Sequence, residues 1–247
     1  MKKTNCILLI SALIFIIGFC IVNGESATEA FEEGKNPFDN KIDVVYYINL
    51  DHRTDRNEEI LQEFEKVGIP SSKIVRISGN YNKQYGDVGC SKSHTDALRR
   101  FSQSSYNNCI IFEDDFIFTQ SPNEVHTMIN KLFENNVNYD VVMLSANTTA
   151  NEDSEYPFLK KVIETQTASG YMVNKSFSHT LLANFEEGVQ QLEKIVTKED
   201  DKRGKYCIDQ YWKSLQSDSL WYEFYPKLGI QRESYSDIQH GLVTPNT

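Results

Sequence analysis

Three consecutive carboxylates, Glu113-Asp114-Asp115, follow the apolar run Cys109-Ile110-Ile111-Phe112 and precede Phe116-Ile117-Phe118. Carboxylates this close repel one another unless a cation sits among them. Oxygen donors suit a hard cation such as Mg²⁺ or Mn²⁺, whose usual partner is a phosphate, with a diphosphate leaving group the natural case. The bland reading is a solvated acidic turn between strands. In Asn49-Leu50-Asp51-His52-Arg53-Thr54-Asp55-Arg56 the two arginines are three residues apart. At a helix start, that spacing lets both face one diphosphate. Read for structure alone, Asp51 or Thr54 caps the helix and the arginines pair with Glu58 or Glu59. Gly89-Cys90-Ser91-Lys92-Ser93-His94 puts small polar residues at an expected helix start. There Ser93 and His94 are placed to bond a base, a ribose or the carboxylates. A Cys90 nucleophile is disfavoured, because no oxyanion device accompanies it. In Cys207-Ile208-Asp209-Gln210-Tyr211-Trp212, Asp209 is either a general base for an acceptor hydroxyl or a helix N-cap.

The elements that would position these residues follow from the hydrophobic pattern. The run into Glu113 reads as a buried strand of a parallel sheet, and open α/β sheets bind ligands at the carboxyl ends of their strands. Asp43-Val44-Val45-Tyr46-Tyr47-Ile48-Asn49-Leu50 is β-branched and aromatic, a first strand. Ile60, Leu61, Phe64 and Val67 recur at helical spacing, closed by Gly68 and Pro70. With a short strand over 73–77, this begins a βαβ unit and predicts a parallel sheet with right-handed crossovers. Further along, helices are expected over 91–104, 122–136, 175–185 and 207–215, and strands over 139–144, 161–163 and 220–225. Residues 79–88 and 147–157 read as polar loops, and the mixed-charge run 198–204 as a solvated one.

The chain has 247 residues, enough for one sizeable domain, and its net charge of −10 argues against a general nucleic-acid surface. Lys2 and Lys3 precede the uncharged apolar run 7–22, at the short edge of the roughly 17 to 25 residues a spanning helix needs. Residues 1–24 read as a signal peptide or signal anchor, the cleaved form preferred, 25–40 as a stem, and 41–247 as the folded domain. Either form delivers the domain to the secretory lumen or outside the cell. Beyond the targeting segment, Cys90, Cys109 and Cys207 form no disulfide framework and have no zinc-site spacing. Asn147-Thr148-Thr149 and Asn174-Lys175-Ser176 have the form of glycosylation acceptors.

Taken in order, Tyr47 to Arg56, Gly89-Cys90 with Ser93-His94, Phe112-Glu113-Asp114-Asp115, Ser169-Gly170-Tyr171 and Asp209-Gln210 resemble glycosyltransferase family 25. That group includes lipooligosaccharide and procollagen galactosyltransferases. The resemblance runs from about Val44 to Tyr235. It implies an α/β, GT-A-like fold with a mostly parallel twisted sheet flanked by helices. It also implies a UDP-sugar donor, commonly UDP-galactose, Mn²⁺ or a related divalent ion, and inversion at the anomeric carbon. Carried over, Glu113 and Asp115 are metal ligands, with Asp115 the direct one. Asn49, Arg53, Arg56, Gly89, Ser93 and His94 line the donor cleft. Asp209 falls near the acceptor as the base, which requires it to lie across the cleft from Asp115. His240 is a further metal-ligand candidate, by analogy with a late histidine in related folds. The acceptor implied is a glycan or glycoprotein. Two other readings are an inactive member that binds carbohydrate or acts as a scaffold, and a metal-dependent hydrolase using the same carboxylates, with His94 or His240 beside the metal.

Overall fold

The computed structural model describes residues 35–195 and 202–232, and the backbone of 234–236 and 241–243. The expected targeting segment, most of the mixed-charge run and His240 lie outside the described residues. No described helix is long and apolar enough to cross a membrane. Folded structure begins before the expected end of the stem. Asn36 caps helix α1 (Pro37–Asn40) by accepting from the Phe38 N–H, and Phe38 is fully buried. An Asn cap followed by Pro is a favourable helix start, and the buried ring anchors it.

Strands β1 (Val44–Asn49), β2 (Ile74–Ser78) and β3 (Asn108–Glu113) pair in parallel, with α2 (Thr54–Lys66) joining the first two. Helix α3 (Gly86–Gln103) leads from β2 to β3. The acidic turn follows, then β4 (Phe116–Phe118) and α4 (Pro122–Glu134). Beyond these lie β5 (Val141–Asp153), β6 (Leu159–Asn174) and α5 (Ser178–Lys194). Two helical turns, α6 (Ile208–Tyr211) and α7 (Lys213–Gln216), precede β7 (Trp221–Phe224) and β8 (Gly229–Gln231). Strands β9 (Ser234–Ser236) and β10 (Gly241–Val243) form an antiparallel pair. The main sheet runs β2-β1-β3-β6-β5-β7. Only β6 is reversed, being antiparallel to β3, β5 and β7. The expected α/β architecture, a mostly parallel sheet flanked by helices, is therefore present.

Alternation along the strands divides the core. Val45, Tyr47, Ile110 and Phe112 face Ile60 and Phe64 of α2 and Val125, Ile129 and Leu132 of α4. Val44, Tyr46, Cys109 and Ile111 belong to the opposite core, with Leu98 and Phe101 of α3, Leu181 and Phe185 of α5, and Trp212. Successive side chains of a strand point to opposite faces, so strands covered on both sides read as continuous apolar runs. Fully burying one such aromatic or aliphatic side chain contributes about 1.5–3 kcal/mol.

Three expectations are corrected. Only 154–157 of the expected loop 147–157 is a turn: β5 continues to Asp153 and pairs with β6 through several register shifts. Glu223 of β7 explains the polar composition, since Thr148 and Asn151 both donate to its carboxylate at 2.6 Å. Helix α3 starts at Gly86 rather than Ser91, after a turn in which Asn82 Oδ1 accepts from the Gln84 and Tyr85 N–H groups. Finally, Arg203 of the mixed-charge run is buried rather than solvated. It grips Asp87 with two nitrogens at 2.6 and 2.8 Å and donates to the carbonyls of Leu192 and Ile195.

Candidate functional site

The carboxyl ends of β1 and β3 are adjacent, with Ile48 opposite Glu113, so Asn49 and the acidic turn meet. Asn49 is buried and donates to Asp114 Oδ2 at 2.8 Å, while its own oxygen accepts from Arg76 at 2.8 and 3.0 Å. Arg56, in the first turn of α2, reaches Asp114 at 2.9 Å and Asp115 at 3.4 Å. The expected pairing with Glu58 or Glu59 does not hold for Arg56, because the buried carboxylates are its stronger partners. Arg53 diverges from it: its guanidinium pairs with Asp55 at 2.8 and 3.0 Å. Residues three apart share a helix face only inside a helix, and Arg53 is the N-cap, outside the first turn.

The turn is held from beneath by Phe116, which packs against Phe112 and Phe118. Gly170 and Gly229 make room for that ring; a Cβ would come within 2.6 Å of it at Gly170 and 2.2 Å at Gly229. Strand β4 pairs with β8, whose Gln231 donates to Asp115 Oδ2 at 3.2 Å. Asp115 Oδ1 is buried and has no hydrogen-bond partner among the described residues. Burial, together with the charges of Glu113 and Asp114 and against that of Arg56, pushes the Asp115 carboxyl up to about 7. Burial raises Asp114 too, opposed by Arg56 and Asn49.

Glu113 takes a different direction. Its Oε1 lies 3.0 Å from His94 Nε2 and 3.6 Å from the Cys90 thiol, and His94 Nδ1 lies 2.9 Å from the Tyr171 hydroxyl. Burial raises its pKa, but the His94 hydrogen bond and charge, the thiol and Arg56 outweigh burial and hold Glu113 below its ordinary value. Burial pushes the Cys90 thiol well up, with Glu113 adding to it; a protonated thiol is a poor nucleophile, in line with the disfavoured hydrolase. Ser93 does not line the cleft: it is buried, donating to the Gly89 carbonyl and accepting from the Asn80 N–H. Gly89 is a packing position, where a Cβ would come within 2.2 Å of the Asn80 oxygen.

Asp209 lies in α6 and its Oδ2 accepts from the Thr167 N–H at 3.2 Å, so it does not act as an N-cap. Thr167 has φ +75°, a strained value for a β-branched residue and one that recurs at functional sites. The strand is pinned beside it by Gln216, which bonds both the N–H and the carbonyl of Thr165, and by the Trp212 indole at 3.2 Å. Burial raises Asp209, with Glu113 contributing. Thus Glu113 acts electrostatically on both Asp115 and Asp209. Arg76, Tyr171, Thr167 and Gln231 complete the arrangement. Tyr171 carried a signal in its Ser-Gly-Tyr motif; the other three had none.

No family model matches the chain, and no curated protein matches it in sequence. Among solved structures it is similar to protein A197 from STIV, at 12% identity and TM-score 0.42, covering 78% of this chain and 95% of that one. It is similar to a mannose-1-phosphate geranyltransferase from Thermus thermophilus, at 8% and 0.42, covering 80% and 76%. A third likeness is to the glycosyltransferase GlyE of Streptococcus pneumoniae, at 8% and 0.43, covering 84% and 58%. Likenesses this distant assign the chain no activity.

Proposed function

We propose that the chain is a metal-dependent, inverting glycosyltransferase. It would move a hexose, galactose being the commonest case in the family it resembles, from a UDP-sugar to a hydroxyl of a glycan or glycoprotein in the secretory lumen. The observation that carries the reading is the buried carboxylate cluster at the carboxyl ends of β1 and β3, in which Asp115 Oδ1 has no hydrogen-bond partner among the described residues. A buried carboxylate oxygen without a donor fits a hard cation, and the donor set is oxygen. Glu113 and Asp115 would hold Mn²⁺ or Mg²⁺, which when bound supplies counter-charge for a departing diphosphate. Arg56, fixed on Asp114, adds a second positive charge at the same end of the sheet. Asp209, oriented by the Thr167 N–H, takes the proton of the acceptor hydroxyl. Its raised pKa moves it toward the working range of a base.

The test is binding of UDP and UDP-sugars with and without Mn²⁺, by the wild-type chain and by Asp115→Ala. Metal-dependent UDP binding that the variant loses is the expected result. A folded wild type that binds no nucleotide overturns the reading. One observation favours the alternative, a carbohydrate-binding or scaffold protein without turnover: Arg56 contacts both Asp114 and Asp115, lending them the counter-charge that a cation would otherwise supply. Glycan binding that ignores both UDP and metal would select it.

A further inference from the structure

Cys90 and His94 are four residues apart on α3, a spacing that puts both side chains on one face. Glu113 arrives opposite them from the end of β3. The Cys90 Sγ, a His94 ring nitrogen and a Glu113 carboxylate oxygen all lie within 4.8 Å of one another. Tetrahedral zinc, with its ordinary bond lengths to sulfur, nitrogen and oxygen, sets its ligands about 3.5 Å apart for sulfur and oxygen and about 3.3 Å for nitrogen and oxygen. The corresponding separations here are 3.6 Å for Sγ and Oε1 and 3.0 Å for Nε2 and Oε1. An outer partner is already in place. Tyr171, fully buried, meets the other ring nitrogen of His94 at 2.9 Å. Metal-bound histidines nearly always have such a partner, which fixes the tautomer and the ring plane. An approach also exists, since the Glu113 side chain is 21% exposed whereas His94 is closed off.

We propose that Cys90, His94 and Glu113 form a zinc site with an open fourth position, separate from the oxygen-only cluster around Asp115. Sulfur and imidazole donors select a borderline-soft ion, whereas Asp115 with its carboxylate neighbours suits a hard one. On binding, Cys90 coordinates as the thiolate and its proton passes to solvent. The fourth position is left to water or a small anion, as in zinc sites with three protein ligands. The proposal does not depend on the glycosyltransferase reading, with which it shares only Glu113.

The experiment strips the purified full chain with a chelating resin and titrates it with Zn²⁺, and separately with Co²⁺ as a spectroscopic stand-in. Expected are one zinc per chain and, for the cobalt form, a thiolate-to-cobalt charge-transfer band in the near ultraviolet. Cys90→Ser, checked for folding by circular dichroism, should lose that band. Tyr171→Phe keeps the buried ring, and removing its hydroxyl should weaken zinc binding about 10-fold or more. Asp115→Asn should retain the band. A folded wild type whose cobalt complex lacks the charge-transfer band overturns the proposal. So does zinc affinity unchanged in Cys90→Ser, which would put the bound ion at the carboxylate cluster instead.

Discussion

Asp115 is buried and Asp209 half-buried, both have raised pKa values, and the consequences differ. Asp115 keeps its proton in the folded chain up to about pH 7, whereas its ordinary value is 3.8. Between those values the folded state binds more protons than the unfolded one, so stability falls as pH rises through that window. The contribution is fully present below about pH 4 and lost above about pH 7. Asp115→Asn should therefore raise the melting temperature by roughly 5 °C at pH 8 in chelator and change it little at about pH 3.5, below both values. Equal shifts at both pH values would count against a proton on Asp115. Asp209 is tested by turnover. As a general base its replacement by Asn should lower kcat by about 10² to 10⁴ while UDP binding persists. A variant that loses UDP binding along with turnover would place Asp209 in the donor site.

At the scale of elements, the cleft depends on a distorted stretch of β6. Thr167 sits in a backbone region that costs a non-glycine residue about 1–3 kcal/mol, and it stays there because Gln216 of α7 and Trp212, between α6 and α7, bind the nearby Thr165. Glycine adopts that φ without the steric cost, though it loses more entropy on folding. Thr167→Gly should therefore stabilise the fold by about 1 kcal/mol, read as a higher urea midpoint at unchanged slope. Destabilisation instead would show that the Thr167 side chain contributes more than its backbone costs.

Across the whole molecule, the helices covering the second core face are tied together at one buried cation. Arg203 joins Asp87 in the first turn of α3 to the last carbonyls of α5, Leu192 and Ile195, with its guanidinium 4.4 Å from the Tyr85 ring centroid. Removing one partner of a buried pair leaves the other uncompensated. Because the Asp87 side chain is 20% exposed, the expected cost of Arg203→Met is about 2–3 kcal/mol, below that of a fully buried pair. Chemical denaturation checks this, and a loss under about 0.5 kcal/mol would mean that Asp87 and the carbonyls are satisfied by water.

Local pattern alone was enough for the run into Glu113, for Ile60, Phe64 and Val67 of the expected stripe (its fourth member, Leu61, is exposed), for the helix from Pro122, and for the α/β class. Each depends on side chains that repeat at the period of their own element. Tertiary structure decided the partners. Arg56 rather than Arg53 reaches the carboxylates, and Asp209 takes a hydrogen bond from β6 rather than capping its own helix. Glu113 turns toward Cys90 and His94, and a polar stretch becomes the far half of β5 because Glu223 waits on the next strand. These are choices between local and distant partners of similar strength. Burial resolves them: a polar group removed from water must take whichever partner the fold brings within reach.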